Sequence, residues 1–273
     1  MQRRHDPTYY WATMRLPREV RPAVHALYGF VRGADELVDG PDRDASPAAR
    51  RRALDAWQDE LESGLARGES AHPVIAALVD AGQRHELPLG ELSVYMESMR
   101  TDCGTVRLQT REELERYMRG SAGAVGLIMA PLLGAPTEAH APLAQLGVAF
   151  QLANFIRDVR EDYALDRVYL PAEEQVRFGV TERDIAGSRC TPALAALLAD
   201  EVGRARELFA LTATVTDAVH PRVRSGIRLA RDAYTGMLDR VEAAGYDVLR
   251  RRARLSARQV GAIAWTALAR GSA

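Results

Sequence analysis

The sequence predicts an all-α protein, a single-domain helical bundle over residues 1–273 whose ligand groups project into a central cavity. Three observations predict it. Two stretches, residues 28–39 and 151–171, carry apolar stripes at helical spacing beside paired aspartates. No stretch shows convincing alternation of period two; residues 167–170 come nearest and are too short to make a sheet. Helix start and stop signals divide most of the chain into segments of helical length, with no fixed-period repeat and no low-complexity linker.

The elements follow in order. Residues 9–15 are expected to form a short helix ahead of Pro17. Residues 17–39 form the next, with Leu27, Phe30, Val31, Ala34 and Val38 as its apolar stripe and Gly40-Pro41 as its stop. Ser46-Pro47 opens a helix whose stripe runs through Leu54, Trp57, Leu61 and Leu65 to a stop near Gly68. Two apolar helices follow at residues 72–85 and 89–101. Thr110-Arg-Glu-Glu113 resembles a capping box and leads into a helix over 114–133, closed by the turn Gly134-Ala-Pro136. A helix over 138–163 carries the second aspartate pair. Residues 166–187 read as a broken stretch with short helices at most. Long helices at 191–214 and 221–249 and a last one at 257–269 complete the chain.

The aspartate-bearing helices carry the chemistry. At about 100° per residue, Gly147, Gln151, Asn154, Asp158 and Asp162 share one face, and Val148, Leu152, Ile156 and Val159 the next. Asp158 and Asp162 stand i,i+4, where like charges repel unless a cation lies between them. Asp35 and Asp39 repeat the arrangement beside Tyr28 and Arg32. A solvated helix face is the alternative, but such faces are rich in Lys and Glu rather than small residues and short amides. Two such pairs, each with a nearby arginine (Arg32, Arg157), suggest one site built between two helices. Mg²⁺ binds through one or two carboxylates plus phosphate oxygens, and arginine forks grip phosphate directly. The metal ligands expected here are Asp35, Asp39, Asp158 and Asp162, with Mg²⁺, or Mn²⁺ in its place.

Composition narrows the function classes. The 273 residues, 47% hydrophobic and 27% charged, are enough for a sizeable core. A formal net charge of -1 argues against a nucleic-acid partner, which calls for a basic excess; the basic stretch 250–258 reads as a helix-end cluster. Cys103 and Cys190 lie far apart without metal spacing and read as free thiols. The N-terminus has no apolar signal core, and no run of about 18 apolar residues could span a membrane. The expected location is cytoplasmic, with transient contact at a membrane surface if the product is greasy.

LYGFVRGADELVD and QLANFIRDVREDYALDRVYLP resemble the two aspartate-rich motifs of the squalene/phytoene synthase family, head-to-head prenyl transferases with the all-α isoprenoid-synthase fold. The resemblance extends to the opening YYWATMRLPREVRPAVHALYGF, the central ELERYMRGSAGAVGLIMAPLLG and the closing MLDRVEAAGYDVLRRRARLS, and is nearest to bacterial phytoene synthases. It implies an enzyme that joins two geranylgeranyl diphosphates through a cyclopropylcarbinyl diphosphate to give phytoene, in carotenoid biosynthesis, with Mg²⁺ and without NADPH. Asp35, Asp39, Asp158 and Asp162 would hold the metal, and Arg32 and Arg157 would neutralise the leaving group. Gln151, Asn154 and Tyr28 would contact substrate; Tyr28 reads equally as a core tyrosine.

Tyr117, Thr8 and Arg251 complete the implied substrate contacts. Many members carry a further tyrosine where this chain has Arg119 and Gly120. Pro7 replaces a family lysine, and Asp166 stands where many members have Gly. The small residues of 120–126 read either as close helix packing or as a cavity wall left open for an isoprenoid tail, the reading the family favours. Two alternatives stay open: a C30 synthase or single-substrate cyclase of the same fold, and a non-catalytic prenyl-lipid-binding subunit. The intact aspartates and arginines weigh against the second. The oligomeric state is not legible.

Overall fold

The computed structural model describes residues 16–250. The helices expected at 9–15 and 257–269, with Thr8 and Arg251, lie outside the described residues. Helix α1 spans Arg21–Asp39, starting later than the 17–39 expected. Pro22 explains the difference: it lacks an N–H and is tolerated only in a first turn, so the helix begins around it. The predicted stripe points inward, with Leu27, Phe30, Ala34 and Val38 buried and Val31 packed against the core. Helix α2, Pro47–Arg67, has Ser46 as N-cap, accepting from the Ala49 N–H, and ends on Gly68 at φ 78°. Leu65 of its predicted stripe is instead exposed. Helices α3 (Pro73–His85) and α4 (Glu91–Thr101) match their sequence signals within two residues.

The expected helix over 114–133 divides. Helix α5, Arg111–Met118, is capped by Thr110, which accepts from the Glu113 N–H at 3.3 Å. The Glu113 carboxylate reaches the Gln109 N–H at 2.6 Å, one residue earlier than a capping box would place it. A π-helical turn over Arg119–Gly123 then widens the coil before α6, Ala124–Leu132. Glycines allow it. A Cβ on Gly120 would lie 2.1 Å from Ser98 Oγ and 2.6 Å from the Val94 carbonyl oxygen; one on Gly126 would lie 2.9 Å from the Ala144 backbone. This corrects the cavity-wall reading at both positions: space filled by neighbouring backbone cannot be lent to a ligand.

Helix α7, His140–Arg157, packs against α6, the π-helical turn and two long C-terminal helices, Pro192–Leu211 and Pro221–Ala243. The expected helix over 138–163 is interrupted at Asp158, whose φ of -104° and ψ of 16° depart from helical values; α8, Val159–Ala164, follows. Asp158 and Asp162 are therefore not on one regular helix face, although the Asp162 N–H still donates to the Asp158 carbonyl at 2.8 Å.

Strand β1 (Val106–Arg107) pairs in parallel with β2 (Arg167–Val168), Val106 opposite Arg167. The stretch read as too short for a sheet thus forms a minimal one. Short helices α9 (Ala172–Phe178) and α10 (Glu182–Ile185), then α11 (Pro192–Leu211), α12 (Val215–Ala218) and α13 (Pro221–Ala243), complete the order. One continuous apolar core runs through the helices. Both cysteines are free thiols, Cys103 buried and Cys190 half-buried. No helix among the described residues is long and apolar enough to cross a membrane.

Candidate active site

The first aspartate pair sits at the C-terminal end of α1. Asp35 is held from α4: the buried Tyr95 hydroxyl donates to Asp35 Oδ1 at 3.1 Å and approaches the Val31 carbonyl oxygen at 3.2 Å. Burial pushes the Asp35 carboxyl up to about 6, against the hydrogen bond from Tyr95 and the nearby Arg32. Arg32 itself bonds Glu36 one turn along the helix, Nε to Oε1 at 3.1 Å. Asp39, more exposed, takes both arms of Arg167, Nη1 to Oδ2 at 2.8 Å and Nη2 to Oδ1 at 2.6 Å. That bidentate pair ties the end of α1 to strand β2.

The second pair lies at the α7–α8 junction. Arg157 folds onto its own neighbour, Nε donating to Asp158 Oδ1 at 2.6 Å and Nη2 to Oδ2. Asp162 follows in the first turn of α8, where a carboxylate suits the helix dipole. Burial, and then the Asp158 charge, push its carboxyl up to about 8. On α7, Gln151 and Asn154 are half-buried, and Asn154 Oδ1 is a buried acceptor with no hydrogen-bond partner. Tyr28 is half-buried on α1.

Asp102 and Arg167, neither singled out from the sequence, connect the two pairs, with Tyr169 and Phe155 packed behind them. Asp102, just after α4, is a buried carboxylate accepting from the Tyr117 hydroxyl at 2.5 Å and the Tyr169 hydroxyl at 2.7 Å. Its backbone carbonyl accepts from Arg167 Nη2 at 2.7 Å. Burial pushes the Asp102 carboxyl up to about 6, against Arg167 and the two tyrosine hydroxyls. Asp102 in turn raises both Asp35 and Asp162, so the two motifs share a charged neighbour. Tyr117 is buried, its hydroxyl committed to Asp102. Phe155 stacks on Tyr169 with ring centroids 4.0 Å apart. Arg167 and Tyr169 are two apart in an extended segment, so both side chains leave the same face. That spacing was available in the sequence; the buried aspartate they meet was not. A pocket of about 170 Å³ opens beside them, lined by Asp39, Arg43, Arg50, Asp102, Asp166 and Arg167 among others.

The donor set fits a hard divalent cation. All four motif side chains are carboxylates, and burial together with the Asp158 charge disfavours ionisation of Asp162, a cost that a bound cation would relieve. Among the described residues no three His, Cys, Asp or Glu side chains converge on one ion position.

A pH dependence follows. The Asp162 carboxyl titrates ordinarily near 3.8 and in the fold near 8, so between these values the folded chain holds the extra proton. Stability rises with pH only where the unfolded chain binds more protons; here it binds fewer, and the metal-free protein loses stability as pH climbs through this window. Asp162→Asn removes the effect. The variant is expected to raise the metal-free melting temperature at pH 8 by about 3 °C or more, with the gain fading toward pH 4. A gain of equal size at both pH values would contradict this.

Comparison with known proteins follows the same lines. The squalene/phytoene synthase family model matches residues 2–259. A phytoene synthase of Thermus thermophilus is 39% identical over 256 residues, 93% of this chain and 86% of that protein. A 15-cis-phytoene synthase of Synechocystis is 34% identical over 90% of this chain and 76% of its own. Among solved structures, a dehydrosqualene synthase in complex with ligand superposes with a TM-score of 0.89 at 26% identity, covering 98% of this chain and 93% of that one. A squalene synthase from Alicyclobacillus acidocaldarius gives 0.81 at 30% identity, covering 90% and 91%.

Proposed function

The chain belongs to the squalene/phytoene synthase family, an enzyme of prenyltransferase type, and on that footing we propose that it joins two geranylgeranyl diphosphates 1–1′ to give phytoene. The observation that carries the site assignment is that Arg167 bonds both Asp39 and the Asp102 carbonyl, while the Asp102 charge acts on Asp35 of one pair and Asp162 of the other. The C20 substrate rests on the sequence relatives named phytoene synthase; the solved structures superposed above are named dehydrosqualene synthase and squalene synthase. The packed glycines at 120 and 126 withdraw one argument for C20 without supplying one for C15.

In the reaction the donor's C1–O bond breaks, diphosphate leaves with the electron pair, and an allylic cation forms. The acceptor's double bond attacks that cation, and loss of a proton closes a cyclopropylcarbinyl diphosphate. A second C–O cleavage, rearrangement and proton loss give the hydrocarbon. We assign Asp35, Asp39, Asp158 and Asp162 to hold Mg²⁺, which when bound draws charge from the diphosphate oxygens and makes diphosphate a viable leaving group.

The chain's own cations do the rest of the electrostatic work. Arg157 and Arg167 each rest on a motif carboxylate, Asp158 and Asp39. Both guanidinium groups lie beside the carboxylates that would hold the metal, where their planar forks would suit the oxygens of a bound diphosphate. Arg32, half-exposed beside Glu36, is assigned to the same charge, and the unsatisfied Asn154 Oδ1, with Gln151 and Tyr28, to substrate contact. The buried rings of Phe155 and Tyr169 present apolar surface that would exclude water from the carbocation. The test is the product: incubation with geranylgeranyl diphosphate and Mg²⁺, without NADPH, is expected to yield phytoene, and its absence from an active preparation would overturn the assignment.

A further inference from the structure

Asp166 lies between α8 and β2, one residue before Arg167, with φ at 60°. This left-handed backbone favours glycine; among other residues Asp and Asn accept it best. The carboxylate here makes contacts that glycine could not. Thr105 Oγ1 donates to Oδ2 at 2.5 Å, and Arg107 Nη2 donates to Oδ1 at 2.8 Å. The Asp166 backbone carbonyl accepts from the Val106 N–H at 3.1 Å and from Arg107 Nη1 at 2.8 Å. The same Arg107 Nη2 also donates to Glu182 Oε1 at 2.7 Å, which holds the guanidinium in place. Both hydrogen bonds to the carboxylate hold it below the usual carboxylate range.

These contacts join the segment 105–107 to the residue that immediately precedes Arg167. Arg167 then reaches from its strand to Asp39 and to the Asp102 carbonyl. A shift of the 166–167 peptide would move the guanidinium that aligns Asp39. We propose that Asp166, clamped by Thr105 and Arg107, is a positioning residue that sets the geometry of Arg167 and Asp39, and through them the affinity for a magnesium–diphosphate ligand. The proposal rests on the diphosphate-binding reading given above. It concerns a side chain whose carboxylate is bonded to Thr105 and Arg107 rather than to any motif residue.

The physics separates this role from a general structural one. The Asp166 side chain is 61% exposed, and exposed ion pairs contribute little to global stability. Asp166→Gly suits the backbone and removes only the side-chain clamp. Asp166→Asn also suits it and keeps the clamp: its carbonyl accepts from Arg107, and its amide can donate to the Thr105 hydroxyl, which also accepts. A charge role predicts that Asn fails with Gly; a positioning role predicts that Asn rescues.

The experiment is titration calorimetry with Mg²⁺ and inorganic pyrophosphate on the full chain, with melting curves of each variant. Outer partners of ligand residues commonly cost about tenfold or more in affinity when removed. Asp166→Gly is therefore expected to bind about tenfold more weakly than the unaltered chain, with a melting temperature within about 3 °C of it. Asp166→Asn should bind within about twofold. Arg107→Gln attacks the same clamp from the other side, and the double variant Asp166→Gly/Arg107→Gln should be no weaker than the weaker single, the coupling expected of one shared element. Unchanged binding by Asp166→Gly overturns the clamp and leaves the diphosphate reading standing. Equal losses in Gly and Asn overturn it in favour of charge. No binding by the unaltered chain overturns both.

Discussion

Asp158→Asn is expected to fold and to lose nearly all turnover. The carboxylate stands at the break between α7 and α8, paired with Arg157 and raising its neighbour Asp162. An amide keeps the shape and removes the anionic donor. If the residue holds the cation opposite a departing diphosphate, the barrier rises by about 3 kcal/mol or more, at least a hundredfold in rate. Asp35→Asn should behave alike from the first motif, where Tyr95 can still donate to the amide oxygen. Folding is checked by a cooperative melt, turnover by diphosphate release. A cooperatively melting variant with near-normal turnover would remove the residue from the metal site.

Arg167→Met is expected to cause the largest loss of stability at this site. The arginine is 7% exposed, pairs with Asp39 and bonds the Asp102 carbonyl, and its charge stabilises the buried Asp102 carboxylate. Removing one partner from a buried ionic network leaves an uncompensated charge, at about 3 kcal/mol or more. For a chain of this size that is about 6–12 °C in melting temperature. Asp39 is half-exposed and can rehydrate, so the cost falls chiefly on Asp102. The sign with pH follows. Without Arg167 the Asp102 carboxyl, already pushed up to about 6, rises further, and protonation relieves it. The loss should shrink at pH 5 and grow at pH 8, as thermal melts across that range would show. A pH-independent loss would place the effect in packing instead.

What the sequence made legible was local. The stripe of α1, the Ser46-Pro47 opening and the Gly68 stop of α2 are short-range signals, and the helices formed where they point. Asp35 and Asp39 were legible for the same reason, since their i,i+4 spacing lies within one helix; the spacing of Asp158 and Asp162 was legible as well, but the helix break at Asp158 was not. What was hidden depends on distant contacts. The π-helical turn at Arg119–Gly123 lies where Gly120 meets Ser98, and the β1–β2 pairing joins Val106 to Arg167; neither contact leaves a local pattern. Asp102 had no periodic signal at all, being a lone acid after a helix end that becomes central only when Tyr117, Arg167 and Tyr169 arrive around it. Asp166 was visible as a departure from a family glycine, and its left-handed backbone gives the reason that glycine suits the position.

The central claim is the identity of the substrate pair and of its product. The direct measurement is a side-by-side incubation of the purified chain with the C15 and C20 diphosphates, each with Mg²⁺ and each with and without NADPH, followed by mass spectrometry of the hydrocarbon fraction. The account predicts phytoene from the C20 substrate, formed equally with and without NADPH, and little turnover of the C15 substrate. Exclusive C30 product, or a cyclised terpene derived from one substrate molecule, would contradict it.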